Sequence, residues 1–297
     1  MGLLLMTRFT IQEVLRKRLF LAVLILSLIF ITGFALLLHT AMTSIFYTGT
    51  NKESVSQFDL WSIGVFMSIP ASWFVHLLSC ILTIFAAVNM ISGEIEAGTF
   101  VIIVPKPLHR YEIVLGKWLG YALLLTAYTA GIFFGFLSVI YWSTGYWPSQ
   151  SLSALGTLEL SVLSLLGLTT LGSVLFPTVV NGAIMLILFI GAPVASFVAG
   201  IVQFTATIQN HVNVSDGALQ NMSTVVNLII PTDALWHGTS YYLLPTVAMT
   251  LLGPTSSFFS LPIISAQQVT TALLVWIACY IILFPLLAAW RFQKRDL

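Results

Sequence analysis

Glu94 and Glu96 stand two residues apart just after an apolar run, and are followed by Gly98-Thr99, by Pro105, Lys106, Pro107 and Arg110, and then by Glu112 and Gly116-Lys117. Carboxylates in the first turn of a short helix lie where the positive end of the helix dipole favours them, and Ser92 is of the type that caps such a helix. Phe100, Ile102, Ile103 and Val104 give the expected helix an apolar end; Pro105 and Pro107 close it, and Pro107 suits the first turn of the next helix. A helix this short is unstable alone in water, so it should dock on a second surface. The chemistry on offer is ion pairing and hydrogen bonding at a contact, not bond breaking.

Residue sets for bond breaking are missing where that chemistry would need them. A phosphate-cradling loop requires Gly-x-x-x-x-Gly-Lys-Ser/Thr; Gly116-Lys117 is followed by Trp118 and has Tyr111 at the position of the first glycine. A membrane serine protease would need a Gly-x-Ser-Gly turn and a histidine in its last span, and neither occurs. There is no His-Glu-x-x-His helix for a metal. Ionisable groups near a bilayer midplane mark ion-coupled transport, because each is costly there. The sequence offers His76, more simply read as a packing residue, and Glu159, read as interfacial at the outer end of its span. Cys80 and Cys279 both fall in apolar runs and suit packing better than a disulfide or metal.

These residues sit in a chain of 297 residues that is 58% apolar and 7% charged, against roughly 25% charged for a soluble domain. Runs long enough to cross the hydrocarbon core occur at Leu19–Leu38, Ser72–Ile91, Trp118–Tyr141, Leu158–Phe176, Ala183–Gln203 and Thr270–Trp290. The first is too long for a signal peptide and is expected to be retained. Ten of the eleven Lys and Arg residues flank the runs on one side: Arg8, Arg16, Lys17, Arg18, Lys106, Arg110, Lys117, Arg291, Lys294 and Arg295; Lys52 is the exception. The positive-inside rule then makes both termini and the 92–117 connection cytoplasmic, in a multi-pass protein of the cell membrane. With no basic stripe beyond these flanks, a nucleic-acid partner is excluded.

At the N-terminus, Ile11, Val14, Leu15 and Leu19 recur at helical spacing opposite Gln12, Glu13, Arg16 and Lys17, which predicts an amphipathic interfacial helix over Thr10–Leu19. The 204–269 connection lacks Lys and Arg and is too apolar for a solvated loop. Its stretches Val225–Ile230 and Ala234–Leu244, broken by prolines, predict short extracytoplasmic helices at or dipping into the outer leaflet. Gly131 and Gly135, and Gly191, Ala195 and Ala199, form small faces suited to close helix contact, within the chain first and between copies second.

The set Gly93-Glu94-x-Glu96-x-Gly98-Thr99, then Pro107-x-x-Arg110-x-Glu112-x-x-x-Gly116-Lys117, resembles the segment after the second span in permeases of type-2 ABC exporters. The six-span plan with an N-terminal interfacial (elbow) helix matches that family along the whole chain. The resemblance implies an all-α integral membrane protein, a single permease domain over 1–297. Its parts are the interfacial helix at 1–18, spans one to five over 19–203, the extracytoplasmic connection at 204–269, and span six with a cytoplasmic tail at 270–297. It implies no catalytic residue and no cofactor in this chain, with ATP and Mg bound by a separate ATPase. Two ATPase copies would join two permease copies in the membrane. The 92–117 segment would be the coupling helix, contacting the ATPase through Glu94, Glu96, Thr99, Phe100, Ile103, Lys106, Pro107 and Arg110. Export, with an apolar path at the two-fold axis, is the implied function.

Two other classes compete with this reading. An ATP-independent secondary carrier would run on a proton or sodium gradient, and the lack of midplane carboxylates in the sequence counts against it. A non-transporting assembly or signalling subunit would bind an ATPase yet move nothing. The topology has a direct test: single cysteines at Ser215 and Ser256 should react with an impermeant thiol reagent from outside, and one at Lys106 should not. Labelling from the opposite side would invert the orientation.

Overall fold

The computed structural model describes residues 2–48, 57–96, 98, 110–209, 227–245 and 267–294. Its helices, in chain order, are α1 (Gly2–Arg16), α2 (Arg18–Thr48), α3 (Gln57–Ala87), α4 (Ser92–Glu96), α5 (Arg110–Thr144), α6 (Ser151–Leu175), α7 (Thr178–Gln209), α8 (Thr232–Leu243) and α9 (Thr271–Gln293). Six of them, α2, α3, α5, α6, α7 and α9, are long and apolar enough to span a membrane, and each contains most or all of one expected run. The central stretches of α3 and α6 are 67% buried within the chain, against 11% for α2 and 22% for α7. α3 and α6 are therefore the centre of the bundle, and α2 and α7 turn most of their apolar surface outward.

Several small polar groups in the core are satisfied within their own helices. Thr83, Thr169 and Thr170 return hydrogen bonds to carbonyls one turn back at 2.7 Å, and Ser164 and Ser173 do so at 2.8 Å. Small hydroxyl residues let helix backbones approach closely, and closing their hydrogen bonds locally leaves no exposed dipole in the apolar interior.

The N-terminal helix starts earlier than the sequence pattern indicates and ends at Arg16, so the expected Thr10–Leu19 element is divided at Lys17 and Leu19 belongs to α2. The side of α1 that packs on the bundle is Thr7, Thr10 and Val14, while Leu4, Leu5, Phe9 and Leu15 point outward. The reason lies in α5. A Cβ on Gly116 would stand 2.7 Å from Met6 Cβ, and one on Gly120 would stand 2.8 Å from Thr10 Cβ. These two glycines, one turn apart, form a groove in which α1 lies, and the Thr7 hydroxyl donates to the Gly116 carbonyl at 3.2 Å. At the break, Lys17 pairs with Glu13 at 3.0 Å and donates to the Tyr121 hydroxyl at 3.2 Å. Burial opposes the Lys17 charge, but Tyr121 and Glu13 together outweigh it and hold the ammonium above the ordinary lysine range. The glycines singled out in the sequence behave differently: Gly135 meets Ile31 of α2, whereas Gly131 and Gly191 face open space within the chain.

α8 falls on the stretch Ala234–Leu244 expected as a short helix at or dipping into the outer leaflet. It is packed inside the bundle against α3, α6 and α7, with Thr232, Asp233, Leu235, Trp236, Thr239 and Ser240 buried. Thr239 meets Thr157 near the start of α6 at 2.8 Å, and the Thr232 carbonyl is 3.5 Å from Ser161 one turn further along. The helix thus begins deep and climbs back toward Tyr146, whose hydroxyl donates to the Leu243 carbonyl at 2.5 Å. The helical turn that precedes it ends at Ile229, and its last carbonyls, which have no partner within the turn, lie where free carbonyls are costly. Trp276 Nε1 and the Tyr280 hydroxyl of α9 donate to the Leu228 and Ile229 carbonyls at 3.0 and 2.6 Å and remove that cost.

The α1 groove makes a prediction. Gly120→Leu should destabilise the purified protein by about 2 kcal/mol through overpacking and raise the thiol reactivity of a cysteine placed at buried Val14. A cysteine at exposed Leu4 should react equally in both backgrounds. Unchanged reactivity at position 14 would contradict the groove.

Candidate functional site

The connection after α3 turns through 88–91 into α4, and the Ser92 hydroxyl points back to the Val88 carbonyl at 3.1 Å instead of capping forward. The α-helix ends at Glu96, with the Gly98 amide bonded to the Ile95 carbonyl and Gly98 at φ 67. That left-handed residue terminates α4, and the rest of the helix expected through Val104 lies outside the described residues. Thr99, Phe100, Ile103, Lys106 and Pro107 lie outside the described residues, and Arg110 opens α5.

The two glutamates are anchored within the chain. Glu94 forms an ion pair with Lys117 of α5, whose ammonium also donates to the Met90 carbonyl at 3.0 Å. Lys117 is 5% exposed, so its charge would be prohibitively placed without that partner. Glu96 accepts from the Thr178 backbone amide at 2.9 Å and from its hydroxyl at 3.2 Å, which puts a carboxylate on the N-terminus of α7. Ser92 reaches the same Thr178 hydroxyl at 2.8 Å. One turn along α7, Asn181 donates to the carbonyls of Val88 and Thr169, each at 3.2 Å, in the space left by Gly172 of α6. The short helix is therefore tied to α5 by a charge pair and to α7 by a cap. Lys117 entered the sequence reading as part of a motif and a topology signal; its place opposite Glu94 was not anticipated.

A second polar site lies at the base of α8. Asp233, 4% exposed, accepts from the Ser196 hydroxyl of α7 and faces His237 Nε2 at 3.5 Å one turn along its own helix. His76 of α3 lies in the same region, with Nδ1 at 3.4 Å from Ser161 Oγ and its ring against Phe189. Cys80 Sγ is 3.9 Å from the same Ser161 hydroxyl. The sequence offered no carboxylate among the spans; α8, from the 204–269 connection, carries Asp233 there. Length and hydropathy could not reveal this, because α8 is too short and mixed to register as membrane-embedded. Glu159 is not at an exposed interface either: both of its carboxyl oxygens are shielded from solvent, beside Thr126 of α5. Among the described residues no group of three or more His, Cys, Asp or Glu side chains is arranged to hold a metal.

The Lys117 anchor predicts an asymmetry between one-sided and two-sided removal. Lys117→Gln should cost about 3 kcal/mol of stability, because it removes the cation from beside the Glu94 carboxylate, while adding Glu94→Gln should recover part of that loss. Denaturant unfolding in mild detergent reads both, and additive losses would show that the two charges do not interact.

No curated protein matches the chain. A sequence family described as ABC-2 family transporter protein matches residues 10–297. With nearly the whole chain matched, and with six spans built as the preceding sections describe, the protein belongs to the ABC-2 family of membrane transporters, as a permease and not as an enzyme.

Proposed function

We propose that this permease is the transmembrane subunit of an ATP-driven exporter, working as two copies with two copies of a separate ATPase that binds ATP and Mg. The observation that carries the reading is the double anchorage of α4. A segment tied to α5 through Glu94–Lys117 and to α7 through Glu96–Thr178 transmits any displacement to two spans at once. The family match over 10–297 supports the class of machine.

In this scheme the 92–110 segment is the coupling element, and both termini lie with it on the cytoplasmic side of the plasma membrane. Glu94 acts from behind, holding the segment to α5, and exposed Glu96 stands at its edge. Thr99, Phe100, Ile103, Lys106, Pro107 and Arg110 supply the remaining ATPase contacts. Closure of the ATPase pair on ATP moves the segment, and α5 and α7 follow as rigid bodies. The outward Leu4, Leu5, Phe9 and Leu15 of α1 suit a helix lying in the membrane interface, bracing the start of α5.

One observation favours a second reading. Asp233 and His76 are buried among the spans, as in carriers driven by a proton gradient. Transport that persists without nucleotide and collapses with the gradient would select that reading.

The exporter reading is tested by co-expression with candidate ABC ATPase subunits from the same genome. Native mass spectrometry should find two permeases with two ATPases. Phe100→Asp with Ile103→Asp should leave expression and membrane insertion intact, and lower ATPase co-purification at least about tenfold by burying charge in the contact. Full co-purification would remove the segment from the coupling role.

A further inference from the structure

The cleft beside the Asp233 cluster has no part in the coupling scheme, and its lining points to a ligand. It has a volume of about 360 Å³, within the usual range for small-molecule sites, and lies where α3, α7 and α8 diverge at Pro193. Trp73, Val194 and Phe197 form its rim, between 39% and 55% exposed, while Asp233 and Trp236 form its back at 4% and 5%. The way in is thus from the apolar flank of the bundle.

Three features define what fits. The first is charge: among the described residues, no Lys or Arg lies within ion-pair distance of Asp233, which is met by the Ser196 hydroxyl and by His237. The Asp233 carboxylate sits in an apolar surround, where an arriving cation is attracted strongly. The second is the wall: Trp73, Trp236 and Phe197 offer ring surface beside the carboxylate, the combination that holds organic cations through the ring quadrupole and apolar contact. The third is Trp236 Nε1, which is buried at the cleft without a hydrogen-bond partner. An indole N–H in that state is costly, and an acceptor on a bound molecule removes the cost.

We infer that the cleft bounded by α3, α7 and α8 is a binding site for an amphipathic organic cation, with its charge held at Asp233 and its apolar body on Trp73, Trp236 and Phe197. This names a substrate class for the exporter and rests on that reading for its biological direction. The binding itself does not require the ATPase.

The test uses tetraphenylphosphonium and tetraphenylborate, ions of the same shape and opposite charge, in equilibrium dialysis against the permease in nanodiscs, with protein-free nanodiscs as reference. Wild type should bind the phosphonium saturably and in preference to the borate. Asp233→Asn should weaken phosphonium binding about tenfold or more. Because Asp233 also bonds Ser196 and His237, the rim variant Trp73→Leu is read alongside; it should weaken phosphonium binding while the melting temperature is retained. Equal binding of the two ions, or wild-type affinity in both variants, overturns the site. ATPase association is scored separately. A complex with the ATPase but no phosphonium binding sinks the cation site alone. Saturable phosphonium binding by a permease that recruits no ATPase sinks the exporter reading alone.

Discussion

The ion pair between Glu94 and Lys117 is the constraint on which the α4 end of the molecule depends. An ammonium 5% exposed must be met by a carboxylate, and the carboxylate available belongs to the short helix after α3. A buried pair of this kind adds little net stability, because desolvation offsets the attraction, but breaking it from one side is expensive. Its effect is positional. It fixes where α4 lies against α5, and from there Glu96 reaches the open N-terminus of α7 and Asn181 reaches Val88 and Thr169. Packing alone would not fix that register, since apolar surfaces in lipid slide past one another with little loss; charge pairs and caps supply the direction.

A second constraint shapes the opposite half. Once α8 dips between the spans, the helix-end carbonyls of Leu228 and Ile229 on its approach need donors, and Trp276 and Tyr280 of α9 provide them. The same descent carries Asp233 to Ser196 and creates the polar cleft. The two polar sites thus arise for different reasons. The α4 anchor holds a short helix to the bundle, while the cleft follows from helix insertion and leaves a carboxylate, an imidazole and an indole N–H gathered at one opening.

The spans were legible because twenty or so apolar residues in a row allow little else. The importance of 92–117 was legible too, since carboxylates, Gly-Thr, prolines and Gly-Lys at those spacings exceed what a topology signal needs. What stayed hidden depends on contacts between distant residues. Gly116 and Gly120 read as ordinary until α1 is seen lying across them. The short helix at 234–244 was legible, but the burial of Asp233 was not, because α8 is only 12 residues long and its Thr, Asp, His, Gly, Thr and Ser do not show which spans it packs between. A descending segment rich in groups that need partners, and free of Lys and Arg, is the signal that could have found it. The helix end at Gly98 could also have been read, since a glycine after acidic first-turn residues is a common stop.

The central claim is that α4 and α7 move as one body under the ATPase. It is tested by joining Glu96→Cys to Thr178→Cys with a short thiol cross-linker, with Cys80 and Cys279 replaced by Ala, in the assembled complex with its ATPase. If the cap is a permanent tie, the cross-linked complex hydrolyses ATP at the same rate as the reduced one. If ATP turnover stops while the complex stays assembled, and returns when the link is cleaved, the segment parts from α7 during the cycle and the account is wrong.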